Sequence, residues 1–333
     1  MSLHRKDERA RVRLAVMGAG RWGERVVRSL GSLDEVELVA VADPDPGARA
    51  RAESAAPRAR VVEDVFEIIE QVEAVAVCTP TGDHVRHAGN LLERGVDVML
   101  EKPMATEARA ARELERRADE AGRVMLIGHQ LLYHPGFELL RELISEGALG
   151  RLMELRSTRC GPAPLERECG VLWSYAPHDV AMMLSLTGEE PLEVSCEKDG
   201  DAGGYPVAAR IELSFAADIG ATISLDGGEI PRVRRLTALG DRGAAVFDDS
   251  GGGGRLLARD SGDARDETGW REVAFDREAP LLVECRHFAE CVAGRLRPRT
   301  DPRHGAAVTE VIEKAEREAI PRPWRGSSST ALS

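Results

Sequence analysis

The sequence predicts an α/β protein built from a doubly wound parallel sheet followed by an α/β domain with an open, largely antiparallel sheet. Three observations lead there. Leu14-Ala15-Val16-Met17 runs straight into Gly18-x-Gly20-x-x-Gly23 and an amphipathic helical stretch. Apolar runs and helical stretches then alternate as far as Gly128, as parallel strands joined by crossover helices require. Beyond Pro191 short strands follow one another through turns such as Asp226-Gly227-Gly228, the pattern of antiparallel or mixed sheet. The first of these units reads as a Rossmann domain over 10–128, the second domain covers 129–322 with terminal helices that can pack back on the first, and 323–333 is a tail.

In the first unit Trp22, Val26, Val27 and Leu30 recur at helical spacing until Gly31. The first glycine of the loop permits a tight turn, the second lets backbone approach a pyrophosphate, and the third packs helix on strand. Phosphates would then rest on the helix N-terminus, where amide donors and the macrodipole favour anions. A second apolar run, Val36 to Ala42, ends in Asp43, 20 residues beyond Gly23. An acid at that position accepts hydrogen bonds from the adenosine ribose, and it repels a 2′-phosphate, so NAD is expected in preference to NADP. Arg49 is placed in a helix rather than at the strand end. The alternative for Asp43 is a simple turn cap before Pro44.

Further strands are expected at Arg60 to Val62, Ala74 to Cys78, Val98 to Leu100 and Val124 to Gly128. A short helix opens at Asp64, another after Asp83, and a third runs from Thr106 to Ala121. Thr79-Pro80-Thr81 and Glu101-Lys102-Pro103 close two of the strands on the edge that carries the glycine loop. Lys102 is therefore a cation fixed where open α/β sheets bind ligands, able to meet a cofactor and a substrate together. His84 and His87 read as surface histidines. In the second domain helices are expected at Pro135 to Glu146, Leu281 to Ala293 and about Gly305 to Ala319. Strands are expected at Leu152 to Arg159, Glu193 to Cys196, Val207 to Phe215, Ala221 to Leu225, Arg234 to Leu239, Ala244 to Phe247, Arg255 to Ala258 and Glu272 to Phe275. Within Cys169 to Gly188 lies a helix whose first turn suits Pro177. His178 would then sit near a helix N-terminus, where the dipole lowers an imidazole pKa and keeps the ring able to accept a proton near pH 7.

Composition narrows the function. A chain of 333 residues with 43% hydrophobic and 31% charged residues can bury a large core. A net charge of −12 leaves no excess of cations for phosphate neutralisation, which argues against nucleic acid and anionic membranes and for small-molecule chemistry. No apolar run approaches a membrane span and no signal segment precedes the first strand, so the expected location is the cytoplasm. The six cysteines, Cys78, Cys160, Cys169, Cys196, Cys285 and Cys291, contain no C-x-x-C pair and read as reduced thiols. A metal site from His129, His134 and Asp179 lacks any recognised ligand spacing, and none is expected. The tail from Gly326 is expected to be disordered.

Gly18-x-Gly20-x-x-Gly23, Asp43, Thr79-Pro80, Glu101-Lys102-Pro103 and His178 together resemble, in order and spacing, the Gfo/Idh/MocA oxidoreductases, from about Val12 to Ala319. The resemblance implies a nicotinamide-binding Rossmann domain and an open-sheet domain that mediates homodimers or homotetramers. It implies that Lys102 contacts the nicotinamide ribose and the reacting oxygen, that His178 serves as acid/base, and that the Lys102-Pro103 bond is cis. Gly18, Gly20, Arg21, Trp22, Gly23, Asp43, Thr79, Pro80, His84, Glu101 and Lys102 make up the expected cofactor-binding set. Many sugar and inositol dehydrogenases of the family carry an aspartate where this chain has Ser174. The wording around it is more similar to the nucleotide-sugar branch, including proteins like UDP-N-acetylglucosamine 3-dehydrogenase. Tyr133, Tyr175 and Asp179, with Ser174 itself, are the candidates for the missing carboxylate's contacts. The expected reaction is hydride transfer between NAD and a ring hydroxyl or ketone of a sugar or nucleotide sugar. Its alternatives are an inositol or other cyclic polyol dehydrogenase, an NAD-retaining glycosidase, and a non-catalytic NAD sensor.

Overall fold

The computed structural model describes residues 11–161, 170–200, 206–228, 231–260 and 269–321. Cys169, the N-terminal residues and the tail from Gly326 lie outside them. The chain divides into two compact units, one formed by Met1–Tyr133 with Glu278–Ala306, the other by His134–Arg277 with Ala307–Ser333.

The first unit alternates as its apolar pattern requires: β1 (Val12–Met17), α1 (Arg21–Gly31), β2 (Val36–Ala42), α2 (Pro46–Ala55), β3 (Arg60–Val62), β4 (Ala74–Val77), α3 (His84–Glu93), β5 (Asp97–Leu100), α4 (Ala108–Ala121) and β6 (Met125–Ile127). The six strands are all parallel in the order β3-β2-β1-β4-β5-β6. This is the doubly wound order, with its switch point between β1 and β4, where the crevice for a ligand opens at the strands' carboxyl ends. Both faces are covered, so the strands read as unbroken apolar runs: Ala15, Val75, Val77, Val98, Leu100 and Ile127 pack in one core with Leu91, Leu92 and Leu114 from α3 and α4. Asp64 opens a short 3-10 turn at Val65–Glu67 with a full capping box. Asp83 occupies the N-cap position of α3 without capping it, because its carboxylate pairs with Arg86 instead.

The second unit follows with α5 (Pro135–Ser145), β7 (Leu152–Cys160), α6 (Gly170–Thr187), β8 (Glu193–Asp199), β9 (Ala208–Ser214), β10 (Gly220–Asp226), β11 (Val233–Gly240), β12 (Gly243–Asp248), β13 (Arg255–Asp260) and β14 (Arg271–Val273). The chain ends with α7 (Pro280–Gly294), α8 (Pro302–Arg317) and β15 (Ile320–Pro321). Nine strands form one sheet in the order β14-β13-β12-β11-β7-β10-β9-β8-β15, antiparallel except where β10 meets β7 and β15 meets β8. Alternation fixes the faces. Leu155, Ile211, Leu213, Ala221, Ile223, Leu236 and Ala238 are buried, whereas Arg156, Glu212 and Arg235 between them are exposed. α6 packs on the buried face, against β7, β9 and β10.

The start of α6 corrects the sequence expectation. The helix begins at Gly170, and Pro177 lies inside it rather than in its first turn. Val171, Leu172, Trp173 and Ala176 are all buried, and their burial carries the helix back past a proline that withholds one backbone donor. His178 is thus mid-helix, and the dipole argument for its proton affinity falls. Among the described residues no helix is long and apolar enough to cross a membrane.

Candidate active site

Four strand ends build the edge of the first unit. After β1, Gly18 has φ +95°, and a Cβ there would stand 2.6 Å from the Cys78 carbonyl oxygen. A Cβ on Gly23 would stand 1.9 Å from the Gly18 oxygen. These two glycines are thus demanded by close packing of the turn against β4 and α1. Gly20 differs, because a Cβ there would meet nothing within 4 Å. Gly20 is also the N-cap of α1 and gives no side-chain cap, so the first-turn amides border an open cradle of the kind a phosphate fills. The residues present fit a dinucleotide. Arg21 is exposed beside the cradle and Trp22 is half-buried.

Asp43 follows β2 and is held on both oxygens: Oδ2 accepts from the Ala19 amide at 2.7 Å and Oδ1 from the Asp45 amide at 2.9 Å. Each oxygen keeps a second lone pair for an incoming hydroxyl. Arg49 corrects an expectation. It belongs to α2, yet its guanidinium folds back to donate to the carbonyls of Asp43 and Pro44, both at 2.8 Å, and so stands at the strand end after all.

The β4 and β5 ends are clamped together. His84 is buried, not on the surface, and lies 2.8 Å from the Pro103 carbonyl through Nδ1 and 2.9 Å from that of Thr79 through Nε2. His87 is buried as well, its ring 3.1 Å from the Thr79 hydroxyl. His84 thereby ties two loops of the edge to each other rather than projecting from it. The Lys102–Pro103 bond is cis.

Beside half-buried Lys102, Glu101 is 8% exposed, its Oε2 accepts from the Lys102 amide, and its Oε1 has no hydrogen-bond partner among the described residues. Burial pushes its carboxyl up to about 7, with Trp22 and the Lys102 ammonium pulling the other way. Gly128, at the end of β6, makes the room, since a Cβ there would sit 3.0 Å from Oε2. A second buried acid in this unit was missed from sequence. Glu284 of α7 is fully buried with both oxygens unpartnered among the described residues, and burial together with the Glu101 charge holds it protonated well above the usual carboxylate range. Its signal was present: an acid three residues after Leu281 and four before Phe288, on a helix stripe that is otherwise apolar. The same burial keeps the Cys78 and Cys285 thiols protonated and inert. His129 and His304 stack edge-on with centroids 5.5 Å apart. Burial lowers both, His304 to about 4, so the pair is neutral at pH 7.

In the second unit His178 and Ser174 lie one helical turn apart on α6 and are partly accessible among neighbours that are buried. Tyr175 donates its hydroxyl to the Gly161 carbonyl at 2.7 Å. Two substrate candidates are corrected. Asp179 is 1% exposed and locked to the Arg159 guanidinium and the Ser157 hydroxyl, a structural ion pair with no face left for a substrate. Tyr133 lies in the interior of the first unit, its hydroxyl 2.9 Å from that of Thr300 and its ring under Arg299. His134 caps α5 through Nδ1, with its ring against Phe247 and Phe275.

Two family models match this chain, the "Oxidoreductase family, NAD-binding Rossmann fold" over residues 12–129 and the "GFO/IDH/MocA C-terminal domain" over 137–246. The chain belongs to the Gfo/Idh/MocA oxidoreductase family. Within it, the inositol 2-dehydrogenase of Rhizobium meliloti is 29% identical over 226 residues, 64% of this chain and 68% of that protein. The rhizopine catabolism protein MocA of the same organism is 30% identical over 227 residues, 65% and 71% of the two chains. The UDP-N-acetylglucosamine 3-dehydrogenase of Acidithiobacillus ferrooxidans is 30% identical over 185 residues, 55% and 56% of the two. A solved structure of that last enzyme superposes with a TM-score of 0.82 at 23% identity, covering 93% of this chain and 97% of that one, which shows a shared fold. Like other members, this chain is an oxidoreductase with a nicotinamide-binding Rossmann domain. The glycine turn, Asp43, Thr79, Pro80, Glu101 and Lys102 all line one edge of its first sheet, while Ser174, Tyr175 and His178 belong to the second unit.

Proposed function

We propose that the enzyme is an NAD-dependent dehydrogenase that moves hydride between a ring carbon of a sugar or nucleotide sugar and the nicotinamide. The observation that carries this reading is Lys102, a half-buried ammonium at the end of β5 on the same sheet edge as the glycine turn. Kinship with dehydrogenases of inositol and of a nucleotide sugar supports the substrate class. Asp43 supports NAD, since a 2′-phosphate would meet its carboxylate.

Bound NAD supplies a two-electron hydride acceptor. Lys102 stabilises the negative charge that grows on the substrate oxygen as its proton leaves, and it fixes that oxygen in line. His178 takes the proton. The carbon–hydrogen pair departs as hydride, a carbonyl remains, and the reverse sequence reduces a ketone. Glu101 lies next to the ammonium in the chain, its Oε2 accepting from the Lys102 amide, and near pH 7 its part-ionised carboxyl adds negative charge at this strand end. The inositol dehydrogenase and MocA relatives favour a second reading on the same machinery, oxidation of a cyclic polyol. In either case the proposal includes a cytoplasmic homodimer or homotetramer with the cofactor domain spanning 10–128. The test is a panel of nucleotide sugars, free sugars and inositols with NAD and with NADP, following reduced cofactor. NADH from one class is expected, and no reduction of either cofactor by any compound overturns the proposal.

A further inference from the structure

Strands β7 and β11 run antiparallel with Arg159 directly opposite Arg234. Both therefore project to the same face, the one that α6 covers, and like charges at opposed positions are unfavourable unless something answers them. Arg159 is answered by Asp179 of α6, through Nε to Oδ2 and Nη2 to Oδ1. Arg234 is answered more loosely, by an ion pair with Asp249 whose Oδ2 stands 3.6 Å from Nη1, beyond hydrogen-bond reach, so its guanidinium makes no side-chain hydrogen bond among the described residues. A third cation lies nearby: Arg232, two residues before Arg234, is exposed, and its charge is felt at Arg234. Arg232 has no ion-pair partner among the described residues. Burial, with Arg159 and Arg232 as neighbours, lowers Arg234 to about 10 against the opposing pull of Asp249 and Asp179. Among the described residues three cations thus gather around two carboxylates, with Arg232 in no ion pair and Arg234 in one loose pair.

We propose that Arg234 and Arg232, backed by the Arg159–Asp179 pair, form an anion-binding subsite beside α6 that takes the phosphate or carboxylate of a charged sugar derivative. Guanidinium forks match both groups in a bidentate way, which a neutral polyol cannot exploit. The subsite adjoins the helix that carries His178, one residue before Asp179. What happens to the bound sugar rests on the dehydrogenase reading, whereas the anion site itself does not. Within that reading it selects sugar nucleotides, sugar phosphates or uronates over inositol.

The test is calorimetric titration of the full chain, saturated with NAD so that the cofactor cleft is closed to other nucleotides. The probes are UDP, inorganic pyrophosphate and glucuronate, against wild type, Arg234→Gln and the more exposed Arg232→Gln. We expect binding of at least one probe that either variant weakens roughly tenfold or more, with NAD affinity unchanged. Preference for UDP and pyrophosphate identifies a phosphate ligand, and preference for glucuronate a carboxylate. Absence of binding by all three, or binding indifferent to both variants, overturns the subsite. If Arg234-dependent binding occurs and no sugar reduces NAD, the dehydrogenase reading fails while the subsite stands. If inositol and uronates are oxidised with the same kcat/KM in wild type and Arg234→Gln, the subsite fails while the dehydrogenase stands.

Discussion

Replacing Glu101 by glutamine removes one buried carboxyl while keeping its shape. In the native protein burial pushes this acid from 4.5 up to about 7. Between those two values the folded state keeps a proton that the unfolded chain gives up. Stability from this group is therefore fully present below pH 4.5, declines as pH rises, and is gone above pH 7. At 1.36 kcal/mol per pH unit, the whole window amounts to about 3 kcal/mol. Glutamine has no such window, and with Glu101 uncharged, Glu284 loses the neighbour that helps hold it protonated. Urea unfolding of the apoprotein at pH 5 and pH 8 reads the difference, followed on the transition of the first unit. Wild type should weaken between the two pH values by about 2.5 kcal/mol more than Glu101→Gln, since part of the window is already lost at pH 5. Parallel losses in the two proteins would mean that Glu101 ionises in the native state as freely as in water, and the reasoning about this edge would be wrong.

Gly20→Ala should leave stability unchanged, because its Cβ enters open space, and yet weaken NAD binding; Gly23→Ala should unfold the turn, its Cβ being driven into the Gly18 carbonyl. Circular dichroism beside NAD titration separates the two, and normal NAD binding by the Gly20→Ala protein refutes the cradle. Lys102→Ala should lower turnover by about 2.7–4 kcal/mol of barrier with NAD affinity little altered, which steady-state kinetics on the substrate found by the panel will read. His178→Ala should remove the fall in oxidation rate on the acid side of the pH–rate profile, and an unchanged profile takes the imidazole out of the proton transfer. Arg159→Ala strands the Asp179 carboxylate in the interior and should destabilise the second unit by about 3–5 kcal/mol, seen as a lowered thermal midpoint.

The first sheet was legible because its rule is local. Each strand is an apolar run buried on both faces, and each is stopped by glycine, aspartate or proline, so the parallel doubly wound class and the residues at the strand ends could be read without contacts. The helix around His178 was misjudged for the converse reason. Proline is the strongest local stop, but the burial of Val171, Leu172 and Trp173 overrides it, and that burial depends on a sheet made later in the chain. Tyr133 and Asp179 looked like site residues because both are polar near a motif. Their partners lie 167 residues away in Thr300 and 20 away in Arg159, so only the fold reveals them as interior. The opposition of Arg159 and Arg234 is a matter of register between two strands, which no composition or spacing expresses.

The first unit is discontinuous, and that governs how it can be made. α7 packs on α1 and β1, Thr300 accepts from the Ile127 amide, and Arg295 pairs with buried Asp97, so the nucleotide-binding sheet lacks part of its covering until residue 306 has left the ribosome. The amino-terminal strands must wait, with Cys78 and the β1 face uncovered, through synthesis of residues 134–277 of the second unit. A gene fragment ending near residue 130 would accordingly give an incomplete and sticky product, whereas one that rejoins 278–306 to it by a short linker has what it needs to close.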